Sequence, residues 1–251
     1  MRHFGVLLRH ELRALFIAPS TYIASVLFLL LMAYVYYMIL ESYIGAEHDV
    51  SVAETFFKIF WLPVFFMVPL LTMRSVAEDR RAGTLETLMT TPVTSLEVIC
   101  SKFLAAWLFY VTLWGITLAF PFLVIYGMGR PGLTESLLDP GILIGGYGFV
   151  ALSGLLFVAV GIFASSLTRN QLVAGMLSFS ILFILIVGMP ALEEHATAWE
   201  LWLAEPLEFL KVFRHLEDFS RGMIDTRPIF YYLSNAGLVL GLAVLLIDSK
   251  A

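Results

Sequence analysis

Long apolar runs separated by short polar stretches set the pattern of this chain. Thr21 to Leu40, Phe56 to Met73, Phe103 to Tyr126, Gly141 to Ser166, Asn170 to Met189 and Ile229 to Ile247 are each close to the ~20 residues a helix needs to cross a bilayer. None shows the strict alternation over about ten residues that marks a strand of an outer-membrane barrel. The expected fold is therefore all-α, a polytopic membrane protein with six transmembrane helices, because a helix satisfies its own backbone hydrogen bonds where no water can. The second run is the least regular. Lys58 lies within its outer end and Pro63 and Pro69 interrupt it, which predicts a kinked helix with Lys58 snorkelling to the headgroups.

Ahead of the first run, Phe4, Leu7, Leu8, Leu12, Leu15 and Phe16 share one helical face, and Arg2, Arg9 and Arg13 share the other. This predicts an N-terminal interfacial helix over residues 1–18, lying along the cytoplasmic leaflet in contact with membrane lipid. Pro19 and Ser20 are expected to break it. Glu11 falls on the apolar side, where pairing with a neighbouring arginine or a backbone amide is the simplest expectation. A basic start followed by an apolar run also describes a signal peptide. Here the run is about twice a short signal core and no A-x-A-like site follows it, so it reads as a span.

The longest polar interruption runs from Arg74 to Lys102. Gly83 ends a charged run, and Leu85, Leu88 and Met89 at i, i+3, i+4 predict a helix of one or two turns with a small apolar face. Pro92 stops it. Thr94-Ser95-Leu96-Glu97 then forms an S/T-x-x-E capping box, with Val93 and Val98 placed as a hydrophobic staple, so the third span's extension begins at a defined point. On the residues alone two readings stand side by side. The short helix docks in a groove of a partner, or it lies on the headgroups as a surface loop.

Composition sharpens the class. Of the 251 residues, 60% are hydrophobic and 14% charged, against about 45–50% and about 25% in soluble domains. Lysine and arginine gather in the N-terminal stretch, in the 74–102 loop and at Arg169, all on one side, which places both termini on the cytoplasmic face of the inner membrane. The net charge of −5 comes mostly from the other face and speaks against a nucleic-acid partner. Apart from Lys58, none of the six runs contains an ionisable side chain, which argues against ion coupling and against intramembrane haem, metal or protease chemistry. The five histidines lie outside the runs without metal spacing, so no metal ligands, bound cofactor or catalytic residues are assigned. Cys100 is the single cysteine and reads as a packing residue. No lysine follows a glycine, so there is no P-loop, and ATP would be bound by a partner subunit.

Two further segments carry expectations. Gly141, Gly145, Gly146, Gly148, Gly154 and Gly161 make the fourth span rich in small residues, which suits packing within one subunit ahead of a dimer seam or a path. In the external loop 190–228, Pro206 opens an expected helix whose Phe209, Leu210, Phe213 and Leu216 make one apolar face, with Gly222 beyond its end and Trp199 and Trp202 at the interface.

The stretch E-D-R-R-A-G-T-L-E-T-L-M-T-T-P-V-T-S-L-E-V-I-C-S-K-F-L-A resembles the cytoplasmic loop of type-2 ABC exporter permeases, most closely those of the gliding-motility group. R-H-E-L-R-A-L-F-I-A-P-S-T-Y-I at the start and F-S-R-G-M-I-D-T-R-P-I-F-Y-Y-L-S from Phe219 to Ser234 carry the resemblance along the chain. It implies a single permease domain over residues 1–251, with residues 74–102 as the coupling loop that contacts a separate cytoplasmic ABC ATPase. It also implies a homodimer, or a heterodimer with a second permease. By resemblance the coupling role falls on Glu78, Arg81, Gly83, Thr84, Glu86 and Pro92, with Leu85, Leu88 and Met89 as the apolar face and Lys102 at the base of the third span. Ser101 stands where a glycine often precedes that lysine. The implied function is ATP-driven export. The alternative is a non-transporting membrane anchor or regulator through which an ATPase acts on an envelope or motility complex.

Overall fold

A computed structural model of the chain describes residues 4–43, 50–89, 93–127, 137–188, 212–220 and 226–249, and every regular element among them is helical. Helix α1 (Phe4–Ile17) and α2 (Pro19–Tyr43) are separated only by Ala18. Pro19 therefore opens α2 instead of ending α1, at a position where a missing N–H is harmless because first-turn amides have no intrahelical acceptor. The predicted apolar face of α1 is the covered one. Leu7, Leu8, Leu12 and Leu15 are half-buried while Arg9 and Arg13 are exposed, and α1 lies against α7 (Ser95–Thr117), where the Phe16 and Phe109 rings meet edge to face at 5.1 Å.

Six helices are long and apolar enough to cross a membrane: Pro19–Tyr43, Trp61–Ala82, Ser95–Gly127, Pro140–Leu167, Gln171–Gly188 and Thr226–Asp248. The chain is thus an all-α polytopic membrane protein. The second span departs from expectation. Instead of one kinked helix there are two, α3 (Val52–Lys58) and α4 (Trp61–Thr72), with a turn at Ile59 and Phe60. Pro63 has no N–H for the carbonyl of Ile59 and its ring would collide with that group, so the helix stops and restarts there. Lys58 is not a lone snorkelling lysine either. It lies 3.0 Å from the Glu54 carboxylate and 3.8 Å from that of Glu217.

The third span begins as α7 and continues through α8 (Ala119–Phe122) into a π-helical turn at Leu123–Gly127. Helix α9 (Pro140–Leu167) is capped by Asp139, whose carboxylate accepts from the amides of Gly141 and Ile142. Asn170 caps α10 (Gln171–Phe183) in the same way, through the amide of Leu172. Helices α11 (Val212–Ser220) and α12 (Thr226–Asp248) complete the described chain.

Helix α9 is the central element, packed by α12, α10, α7, α11 and α4. In its most apolar stretch 72% of residues are buried within the chain, against 28% in α2 and 17% in α12, so few residues of those two are covered by the rest of the chain. Between helices in a bilayer, close contact rather than escape from water drives association, and small residues allow it. A Cβ on Gly145 would sit 2.0 Å from the carbonyl oxygen of Phe219, on Gly146 2.4 Å from the Phe57 ring, on Gly154 2.4 Å from the Tyr110 ring and on Gly161 2.2 Å from the Thr72 hydroxyl. These glycines are used inside one chain. Of the segment expected to carry the external helix, the described residues form α11, with Leu216 and Phe219 buried against α9. Pro206, Phe209, Leu210, Gly222, Trp199 and Trp202 lie outside the described residues.

Candidate functional site

The polar interruption folds as a turn at residues 73–76, α5 (Ala77–Ala82), and α6 (Thr84–Met89), before Thr94 starts α7. Gly83 separates the two short helices in the left-handed region, at φ 72°, and its N–H closes α5 by donating to the Asp79 carbonyl. No atom crowds the place of its missing Cβ, so it is the backbone angle that favours glycine here. The capping box of α7 is formed in both directions. The Glu97 amide donates to the Thr94 hydroxyl at 3.3 Å, and the Thr94 amide donates to the Glu97 carboxylate at 3.4 Å. Val98 lies in the core and Val93 packs partly buried against it.

The short helix α6 is present, but its apolar face turns into the protein. Leu85 is 7% exposed and Leu88 packs partly buried against the same core. Glu78, Arg81 and Thr84 are the exposed members of the predicted set, and Gly83 is half-buried. The side chains of Glu86 and Met89, and all of Pro92, lie outside the described residues.

What holds the loop is a group of long-range polar contacts. Lys102 is 5% exposed, and its ammonium lies 2.7 Å from the Glu11 carboxylate of α1 and 2.7 Å from the Asp79 carboxylate of α5. A charge removed from water needs such partners, and here one lysine joins three helices. Arg80 donates to the carbonyl of Ser166, at the end of α9, and at 3.2 Å to that of Leu246, at the end of α12. Both carbonyls lie in the last turn of their helices, at the negative end of the helix dipole, so a guanidinium suits them. The Ser165 hydroxyl accepts from the amides of Val76 and Ala77 at 3.1 and 3.0 Å and donates to the Met73 carbonyl at 3.2 Å. Ser95 donates to the Asp248 carboxylate, which ties the start of α7 to the end of α12.

Of the predicted residues, Lys102 and the loop helices are brought into one assembly. Glu11, Asp79, Arg80, Ser165, Ser95 and Asp248 complete it and were not in the predicted set. Glu11 carried a visible signal, an acidic group on an apolar face, and Lys102 was a lysine at the base of a span. Each lacked a partner in its own segment. Their pairing with each other corrects the expectation that Glu11 would meet a neighbouring arginine or an amide. Among the described residues no three histidine, cysteine or acidic side chains are grouped to hold a metal ion.

Six membrane-crossing helices packed around α9, with a polar loop fastened to the ends of three of them, define a polytopic helical membrane protein. The chain belongs to the ABC-2 family of transporter proteins: the family model described as ABC-2 family transporter protein matches residues 6–247. It is therefore of the permease type, the membrane subunit of an ABC transporter, and membership implies an ABC ATPase partner in general. Comparison with curated proteins gives no match.

Proposed function

We propose that the chain is the permease of an ATP-driven exporter of the cytoplasmic membrane, with both termini cytoplasmic, and that a separate ATPase docks on residues 74–102. The observation that carries this reading is the fastening of α5: Asp79 reaches Lys102 and through it Glu11, while Arg80 reaches the ends of α9 and α12. A displacement of the loop is thus delivered to α1, α7, α9 and α12 together, which is what a switch in access needs. ATP binding draws two ATPases together, and a dimer of permeases, identical or paired with a second chain, follows that movement. The docking side is the exposed one, with Glu78, Arg81 and Thr84, joined by Glu86, Met89 and Pro92 through resemblance. Leu85 and Leu88 hold α6 in place from behind. The placement nearest the gliding-motility group rests on the quoted segments alone.

The experiment is co-expression with the ATPase partner and replacement of an exposed loop charge, Arg81→Glu, with Arg13→Glu on α1 as a control away from the loop. Normal membrane insertion with loss of ATPase co-purification, or of permease-stimulated ATP hydrolysis, is expected for the first variant only. Parental binding and stimulation in Arg81→Glu would remove the coupling assignment. Movement of a solute or lipid across a vesicle membrane during ATP turnover separates an exporter from an anchor.

A further inference from the structure

At the end of the bundle where the loop lies, a cavity of about 280 Å³ opens between α1, α2, α4 and α5. Its polar wall is made by His10, Glu11, Arg74, Glu78, Asp79 and Lys102, and its apolar wall includes Leu15, Leu70 and Leu71. A second space of about 280 Å³ begins at Leu70, which lines both, and runs up between α2 and α4. Ala24, Phe28, Pro63 and Met67 form its buried floor, and Leu27 and Phe66 its exposed rims. From Leu70 to Pro63 the groove follows α4 for about 10 Å at the ~1.5 Å rise per residue of a helix. A polar cavity at a membrane surface, continued by an apolar groove along two spans, has the division of a lipid between headgroup and chain.

The charges select the headgroup. Arg74 is exposed, and no hydrogen bond or ion pair of its guanidinium is found among the described residues. Lys102 has three N–H donors, of which Glu11 and Asp79 engage two, so one remains for a further oxygen. Arg74, whose charge no carboxylate meets among the described residues, suits a phosphate, with the remaining Lys102 N–H as a further donor. Glu78 lies on the same wall, exposed and without an ion pair among the described residues, and suits an ammonium. Arg74 and Lys102 against Glu11, Glu78 and Asp79 leave a formal charge of −1, which a zwitterion preserves and an anionic lipid would make more negative.

We propose that this composite space between α2 and α4 binds a phospholipid whose headgroup carries both a phosphate and a primary amine, with the phosphate at Arg74 and Lys102, the ammonium at Glu78, and one acyl chain in the groove over Ala24 and Met67. The site shares Glu78 with the docking surface of the loop but is otherwise built from α1, α2, α4 and Lys102, away from Arg81 and Thr84. Bound there, the lipid contacts the Glu11–Lys102–Asp79 bridge directly and makes loop position sensitive to the composition of that leaflet.

The test uses the full-length chain, purified in detergent, exchanged into an equal mixture of phosphatidylethanolamine and phosphatidylglycerol and examined by native mass spectrometry. The parental chain should retain the ethanolamine lipid about five-fold over the glycerol lipid, the size of one exposed ion-pair contact. Glu78→Lys should abolish or invert that preference. Ala24→Trp, which fills the groove, should lose retained lipid of either kind, and Met67→Phe provides a milder filling if the tryptophan variant fails to fold. Equal retention of the two lipids by the parental chain, or unchanged preference in Glu78→Lys, would overturn the headgroup assignment, and undiminished retention in both groove variants would overturn the site.

Discussion

Lys102 makes the sharpest residue-level prediction. Lys102→Met leaves the Glu11 and Asp79 carboxylates, each 2.7 Å from the missing ammonium, facing one another without a cation. Loss of one partner from a fully buried ion set costs about 3–5 kcal/mol, and partial exposure of both carboxylates puts the expectation near the low end, about 3 kcal/mol. Thermal unfolding in detergent should show a clear fall in midpoint, most of it recovered by the triple replacement Glu11→Gln, Asp79→Asn, Lys102→Met. An unchanged midpoint in the single variant would mean the bridge holds nothing. The glycines of α9 make a graded series. Gly145→Ala meets the backbone oxygen of Phe219 at 2.0 Å, which cannot swing aside, while Gly148→Ala meets nothing within 4 Å. The first should lose about 1–3 kcal/mol from overpacking and the second should be neutral or gain up to about 1 kcal/mol of helix propensity. Equal midpoints for the two variants would contradict the packing described.

Among the elements, α7 is the one whose start is set by local chemistry. Thr94→Ala removes the acceptor for the Glu97 amide and should cost about 1 kcal/mol, detectable as faster amide exchange in the first turn of α7 with the rest of the helix unchanged. Uniform exchange throughout would show that tertiary contacts, not the cap, hold that end. This cap, the stop at Gly83, the amphipathic helix α1 and five of the six spans were legible in the sequence, because each is written within a few neighbouring residues as spacing, a cap pair or a long apolar run. The split between α3 and α4 was half legible. Pro63 announces a disturbance, but whether a helix bends or breaks depends on what receives its ends, and Lys58 finds Glu54 beside it and Glu217 from a distant segment. The inward turn of α6 was not legible at all. Periodicity identifies Leu85 and Leu88 as an apolar face without saying whether the protein itself or a partner covers it. The same holds for Arg80, whose acceptor at Leu246 is 166 residues away.

For the whole molecule, the basic segments and the two ends of the described chain should share one side of the membrane. In a Cys100→Ser background, a cysteine at Glu41 should react with an impermeant thiol reagent in intact cells, while one at Ser249 should react only after permeabilisation. The opposite result would invert the arrangement and with it the side on which an ATPase can dock. The last turn of α12 has a practical consequence for anyone handling this protein. Ser95 grips Asp248, and Arg80 grips the carbonyl of Leu246, so the last turn of α12 serves as a foundation for the loop. An affinity tag or fluorescent fusion joined beyond α12 through a glycine-serine spacer should leave both grips intact, whereas trimming α12 back to Leu245 should give a preparation that still inserts and can be purified yet no longer holds its loop in register.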